Sequence, residues 1–163
     1  MLSVQKATVA NIPLVRQLTF AIWPQTYSSV ISKEQIDYML EMMYNPATLQ
    51  KQMEEEGCTF IIVHEDGEPV AFASYNETET QIWKLNKIYI LKTHQSKGNG
   101  KFIIKYIVDE IKVKHAKALQ LQVNRQNKAK YFYERLGFKI IKTADFDIGN
   151  GYFMNDYVME LAL

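Results

Sequence analysis

The sequence predicts an α/β fold on one mixed sheet, and three observations carry that prediction. Strand-length apolar or alternating runs recur from "TFIIVH" to "YFMNDYVMEL". Apolar residues at helical spacing fill the stretches before and between them. A loop with two glycines, "HQSKGNGKF", joins the apolar strand "KIYIL" to the amphipathic stretch "FIIKYIVDEIKVK". The resulting order is strand, helices, three strands, helix, strand, helix, two strands. We expect a single domain over residues 1–163, an ordinary domain length.

Each element has a local reason. "LSVQKAT" reads as a short first strand. Thr8 suits a helix cap and Pro13 an early helical turn, and Leu14, Val15, Leu18 and Ile22 then share one stripe. "KEQIDYMLEMMY" is a second helix with Ile36, Met39, Leu40 and Met43 on one face. Asn45 and Pro46 open a third, "ATLQKQMEEE", which Gly57 stops. "TFIIVH" and "VAFASYN" form a hairpin around the Asp-Gly of "EDGE", and "QIWKLNKIYIL" continues the sheet. The next helix runs from Lys101 to about His115, with Lys112, Lys114 and His115 at its negative end. "ALQLQV" alternates as a half-buried strand, so Lys84 to Val123 forms a right-handed parallel crossover. "KAKYFYERL" is a short helix ended by Gly137. The closing strands "FKIIKT" and "YFMNDYVMEL" pair through a "DFDIGNG" loop.

Composition narrows the function. Apolar residues make up 47% and charged residues 23%, which supports a packed core. A net charge of +1 gives no whole-domain field for nucleic acid or an anionic membrane. No window approaches the length of a membrane span, and the N-terminal stretch does not read as a signal peptide. The one cysteine, Cys58, fits a reducing, cytoplasmic setting. His64, His94 and His115 lack metal-ligand spacing, so no metal is expected. No Gly-x-Ser-x-Gly elbow is present. The lysines from Lys97 to Lys117 read as a solvated helix face.

The glycine loop is the first feature with chemistry in it. Unpaired N–H groups and the helix dipole make a strand-to-helix junction an anion site. Gly98 and Gly100 let the backbone approach a phosphate, and Lys97 and Lys101 add charge at the rim. The Walker pattern fails, because Phe102 follows Lys101. The dinucleotide fingerprint fails at Ile103, where it needs glycine. Alone, the loop reads equally as an anion cradle or as a tight turn that binds nothing.

The loop has a companion. Gln95-Ser96-Lys97-Gly98-Asn99-Gly100 has the form Gln/Arg-x-x-Gly-x-Gly/Ala. "NKAKYFYERLGF", Asn127 to Phe138, follows it downstream. The pair, in this order and over nearly the whole chain, resembles the GNAT superfamily of N-acetyltransferases. Its bacterial small-amine and polyamine subgroup is suggested by "TY…ISKEQIDYML". One departure is Lys92, where many members carry proline.

The resemblance implies a largely antiparallel mixed sheet whose one parallel strand pair splays apart, flanked by helices. It implies acetyl-CoA as co-substrate, its pyrophosphate on Gln95, Ser96, Lys97, Gly98, Asn99, Gly100 and Lys101. Its pantetheine arm would lie along Ile88, Tyr89 and Ile90, where a bulge is expected, with the Ile90 N–H facing the thioester oxygen. Asn127 would contact the cofactor or cap a helix, and Asn124 is a second polar candidate. Tyr133 would protonate the departing thiolate in a direct transfer to an amine. The base is open among Glu77, Glu79, Asp156 and a water relay, and a surface place is the simplest expectation for each acid. The acceptor pocket would draw on Trp23 and Tyr27 and on Asp145, Asp147, Tyr152 and Asp156, a set suited to a cationic small amine. A protein or peptide amine, and a non-catalytic acyl-CoA-binding module, are the alternatives. A homodimer is compatible with all three.

Overall fold

The computed structural model describes residues 1–163. Its seven strands are β1 (Leu2–Lys6), β2 (Thr59–Glu65), β3 (Glu68–Glu79), β4 (Ile82–Ile90), β5 (Ala118–Asn124), β6 (Lys139–Gly149) and β7 (Tyr152–Ala162). The helices are α1 (Ile12–Tyr27), α2 (Lys33–Tyr44), α3 (Pro46–Glu54), α4 (Asn99–Lys112) and α5 (Ala129–Arg135). One mixed sheet runs β1-β2-β3-β4-β5-β7-β6. Every neighbouring pair is antiparallel except β4–β5. The expected fold class is therefore the one observed. No helix is long and apolar enough to cross a membrane.

The local signals act as expected. Asp66 and Gly67 both take positive φ, which suits the tight β2–β3 hairpin. Ser32 and Asn45 cap α2 and α3 by accepting from the N–H groups of Gln35 and Thr48. Two elements differ from the sequence reading. The β6 strand continues through Asp145 to Gly149, so "DFDIG" is strand and only a tight turn links it to β7. The fourth helix spans Asn99–Lys112 rather than Lys101 to His115.

The sheet separates two apolar layers. Ile103, Ile104, Ile107 and Ile111 of α4 and Tyr133 of α5 pack with Leu85, Leu119 and Leu121 on one face. On the other, α1, α2 and α3 bring Val15, Leu18, Trp23, Leu40 and Leu49 against Phe60, Ile62 and Phe72.

Candidate active site

The parallel pair β4–β5 is the point of departure. Its register runs only from Ile82↔Ala118 to Leu85↔Leu121. Both strands continue, but they no longer pair. The separation begins at a bulge. Ser74 of β3 opposes Lys87 and Tyr75 opposes Leu85, which leaves Asn86 without a partner residue. The expected bulge around Ile88–Ile90 thus lies earlier, at Asn86. Asn86 donates through Nδ2 to Asn76 Oδ1 at 2.8 Å, which anchors it toward β3 and away from β5.

Beyond the splay a cavity of about 710 Å³ opens. That volume lies in the range of small-molecule and cofactor sites. At one end stands the glycine loop, in which Ser96 (φ 61°) and Gly98 (φ 81°) are left-handed. The amides from Ser96 through Lys101 donate to no backbone or side-chain acceptor, and the first helical bond in this stretch is Phe102 N–H to the Gly98 carbonyl at 3.0 Å. A run of free donors at a helix N-terminus suits an anion of several oxygens. Stretched backbone along β4 and β5 leads away from it. The residues present thus fit a long ligand with an anionic middle and an arm able to pair with strand edges.

The two glycines do different work. Gly98 needs its positive φ, and a Cβ there would meet open space. At Gly100 a Cβ would lie 2.9 Å from Phe132 Cζ, so this glycine admits the aromatic ring of α5. Close approach at Gly100 is made by protein, in addition to any phosphate.

Of the residues singled out from sequence, Ile88, Tyr89, Ile90, Gln95, Ser96, Gly98, Gly100, Lys101, Asn124, Asn127 and Tyr133 line the cavity. So do Trp23, Tyr27 and Asp156. Lys97 and Asn99 do not. Lys97 is exposed, and Asn99 is buried with its Nδ2 donating to the His94 carbonyl at 2.9 Å. The Gln95 side chain donates to the Ile90 carbonyl at 3.0 Å and so ties the loop to the end of β4. His94, given no role from sequence, sits 3.0 Å from Glu65 and helps hold the loop. Asn124 and Asn127 use their Oδ1 atoms to accept from the N–H groups of Gln126 and Ala129, both at 2.9 Å. These two Asx turns carry the chain from β5 into α5.

Tyr133 is buried between Phe132 and Phe138, at ring separations of 5.3 and 5.7 Å. Tyr131, two residues earlier and so on a different face of the helix, is exposed. Burial raises the Tyr133 hydroxyl above its ordinary value, with Tyr27 adding to the effect, so it stays protonated. Across the cavity, Tyr27 and Tyr89 join hydroxyls at 2.9 Å beside Trp23.

The acids sort themselves by burial. Glu77 and Glu79 are exposed, as expected. Asp156 departs from expectation: it is 3% exposed. Burial pushes its carboxyl up to about 6, opposed by Arg125 and Lys84. Asp145 is tied to Arg125, Asp147 accepts from the Gly149 N–H, and Tyr152 packs at a tilt against Tyr38. None of these three lines the cavity. Conversely, Lys84, Lys87, Gln52 and Tyr44 line it without having been singled out. The clue was the strand "WKLNKIY", in which a one-residue shift at Asn86 puts Lys84, Lys87 and Tyr89 on one face.

This cavity in a splayed parallel strand pair, ahead of a helix with free N-terminal amides, is what a GNAT fold presents. Residues 27–161 match the family described as acetyltransferase (GNAT) domain. The chain belongs to that family, and so to the acetyltransferase enzymes. Among solved structures it resembles the PaiA N-acetyltransferase of Thermoplasma acidophilum in complex with coenzyme A. That match has TM-score 0.83 and 20% identity over 100% of this chain and 99% of that one. It also resembles mutant forms of the spermidine/spermine N-acetyltransferase SpeG of Vibrio cholerae. There the TM-score is 0.71, with 16% identity over 99% of this chain and 93% of that one. A ribosomal protein bS18-alanine N-acetyltransferase of Haemophilus influenzae is 37% identical over 54 residues. These are 33% of this chain, and the match spans 37% of that relative's length.

Proposed function

We propose that the protein transfers the acetyl group of acetyl-CoA directly to the primary amine of a small molecule. One observation carries this reading: a single cavity joins the free-amide residues Ser96, Gly98, Gly100 and Lys101 to Tyr133 and Asp156. The amides and Lys101 hold the pyrophosphate, and the unpaired edges of β4 and β5 receive the pantetheine arm. The Ile90 N–H stabilises the charge that develops on the thioester oxygen. Asp156 takes the proton from the incoming ammonium, either directly or through one water. A carboxyl raised to about 6 is ionised at neutral pH and still basic enough to accept. The amine attacks the acetyl carbon, the carbon–sulfur bond breaks, Tyr133 gives its proton to the departing sulfur, and the second proton shed by the attacking nitrogen restores the Tyr133 hydroxyl. Trp23, Tyr27 and Tyr89 shape the acceptor end.

The relative from Haemophilus influenzae supports a second reading, in which the amine is the N-terminal alanine of a protein. A panel of small amines, polyamines and peptides beginning with alanine, read by CoA release from acetyl-CoA, tests both. A small amine should turn over best. Release with no member of the panel, while acetyl-CoA still binds, defeats the enzyme reading in favour of a regulatory acyl-CoA-binding module.

A further inference from the structure

The acceptor end of the cavity is more basic than a site for a polycation should be. Lys84 and Lys87 line it from β4, and Asp156 is the only acid among the lining residues. All three lie on the sheet face toward α1, α2 and α3. Lys84 is opposite Gln120, and Asp156 is opposite Asn124, both on the face of β5 away from Leu119, Leu121 and Val123. The bulge at Asn86 shifts the strand phase by one residue and brings Lys87 to the same face, where its Nζ donates to Gln52 Oε1 at 2.9 Å. That ammonium also lies 5.3 Å from the Tyr44 ring and 5.6 Å from the Phe60 ring.

Neither lysine has a carboxylate at ion-pairing distance. Lys87 has one neutral acceptor for its three N–H donors, and Lys84 has none. Burial lowers both ammonium groups, Lys87 to about 8. A desolvated cation without a contacting anion is costly, and the protein supplies none at contact; Asp156 acts on Lys84 only from beyond ion-pairing distance. Both lysines line the cavity, which is where an anion could reach them. Lys87 also lies three residues before Ile90, or about 10 Å along the strand. An anion held by it would lie one short chain away from an amine at the thioester.

We propose that the acceptor carries an anionic oxygen group, carboxylate or phosphate, at the end remote from its reacting amine, and that Lys87 with Lys84 selects it. The proposal rests on the acetyl-transfer reading for the orientation of the acceptor. Its test is binding, which does not need turnover.

The measurement is calorimetric titration of the CoA-saturated protein with cadaverine, pentylamine, 5-aminopentanoate and 3-aminopropyl phosphate. At least one of the two anionic amines should bind about tenfold or more tightly than cadaverine, as expected for one charge-assisted contact. Which of them binds better names the anion. Lys87→Met removes a buried cation and keeps an apolar stem, so it folds; it should erase the preference, and Lys87→Arg should keep part of it. Cadaverine binding as tightly as both anionic amines overturns the proposal. So does a preference that survives in the Lys84→Met/Lys87→Met variant. If anionic amines bind as stated and none is acetylated, the acetyl-transfer reading falls and the anion site stands.

Discussion

At the α4 end of the cavity the chain offers backbone, and at the α1–α3 end it offers side chains. The donor end consists of left-handed residues, free amides and unpaired strand edges. The acceptor end consists of buried aromatics, two lysines and one carboxylate. Backbone can bind a ligand common to many proteins, because any sequence with the right turns presents the same amides. Side chains must be chosen one at a time, so the proposed function puts specificity at the other end. Tyr133 and Asp156 stand where the two ends meet.

The sharpest test of that junction is Tyr133→Phe. It removes the proposed proton donor and keeps the ring between Phe132 and Phe138, so acetyl-CoA binding should persist while kcat falls by about 100-fold or more. A parallel loss of acetyl-CoA affinity would instead place Tyr133 in the donor half.

Asp156→Asn should lower kcat/KM by about 10- to 100-fold. In the parent, kcat/KM should rise with pH up to about 6 and then level, and the variant should lose that limb. The stability effect has the opposite sense. The folded carboxyl lies above its ordinary value, so its contribution to stability is complete below the unfolded value and lost as pH rises through about 6. The Asn variant should therefore melt about 3 °C or more above the parent at pH 8, with the gain vanishing near pH 4. A flat pH profile would leave proton removal to water alone.

The two glycines break the donor half in different ways. Gly100→Ala pushes a methyl onto Phe132 and should cost about 1–3 kcal/mol of stability, with weaker acetyl-CoA binding as α5 shifts. Gly98→Ala meets no neighbour and should cost about 1 kcal/mol, from its left-handed backbone alone. Thermal melts with and without CoA separate the two. The smallest effect belongs to Lys97→Ala. Its side chain is exposed and outside the cavity, so acetyl-CoA affinity should fall by about threefold or less, and the difference from the parent should shrink in high salt.

Much of this was readable along the chain. The strand–loop–helix junction at Gln95–Lys101, the Asn127–Phe138 segment and the alternation of "ALQLQV" are local patterns, and local patterns report local structure. The loop's free amides follow from the way any helix begins. What the sequence could not report were relations between distant segments. Asp156 was expected at the surface, yet pairing with β5 and β6 places it inside. Gly100 was expected to face phosphate, and the Phe132 ring comes from more than thirty residues away. Lys84 and Lys87 read as ordinary strand charges until the bulge at Asn86 turned them onto one buried face. By itself the sequence determined the sheet-and-helix order, the glycine-loop junction and the family, because each is written in neighbouring residues. The tertiary structure alone decided which charges meet at the acceptor end, because burial and strand register belong to the assembled sheet.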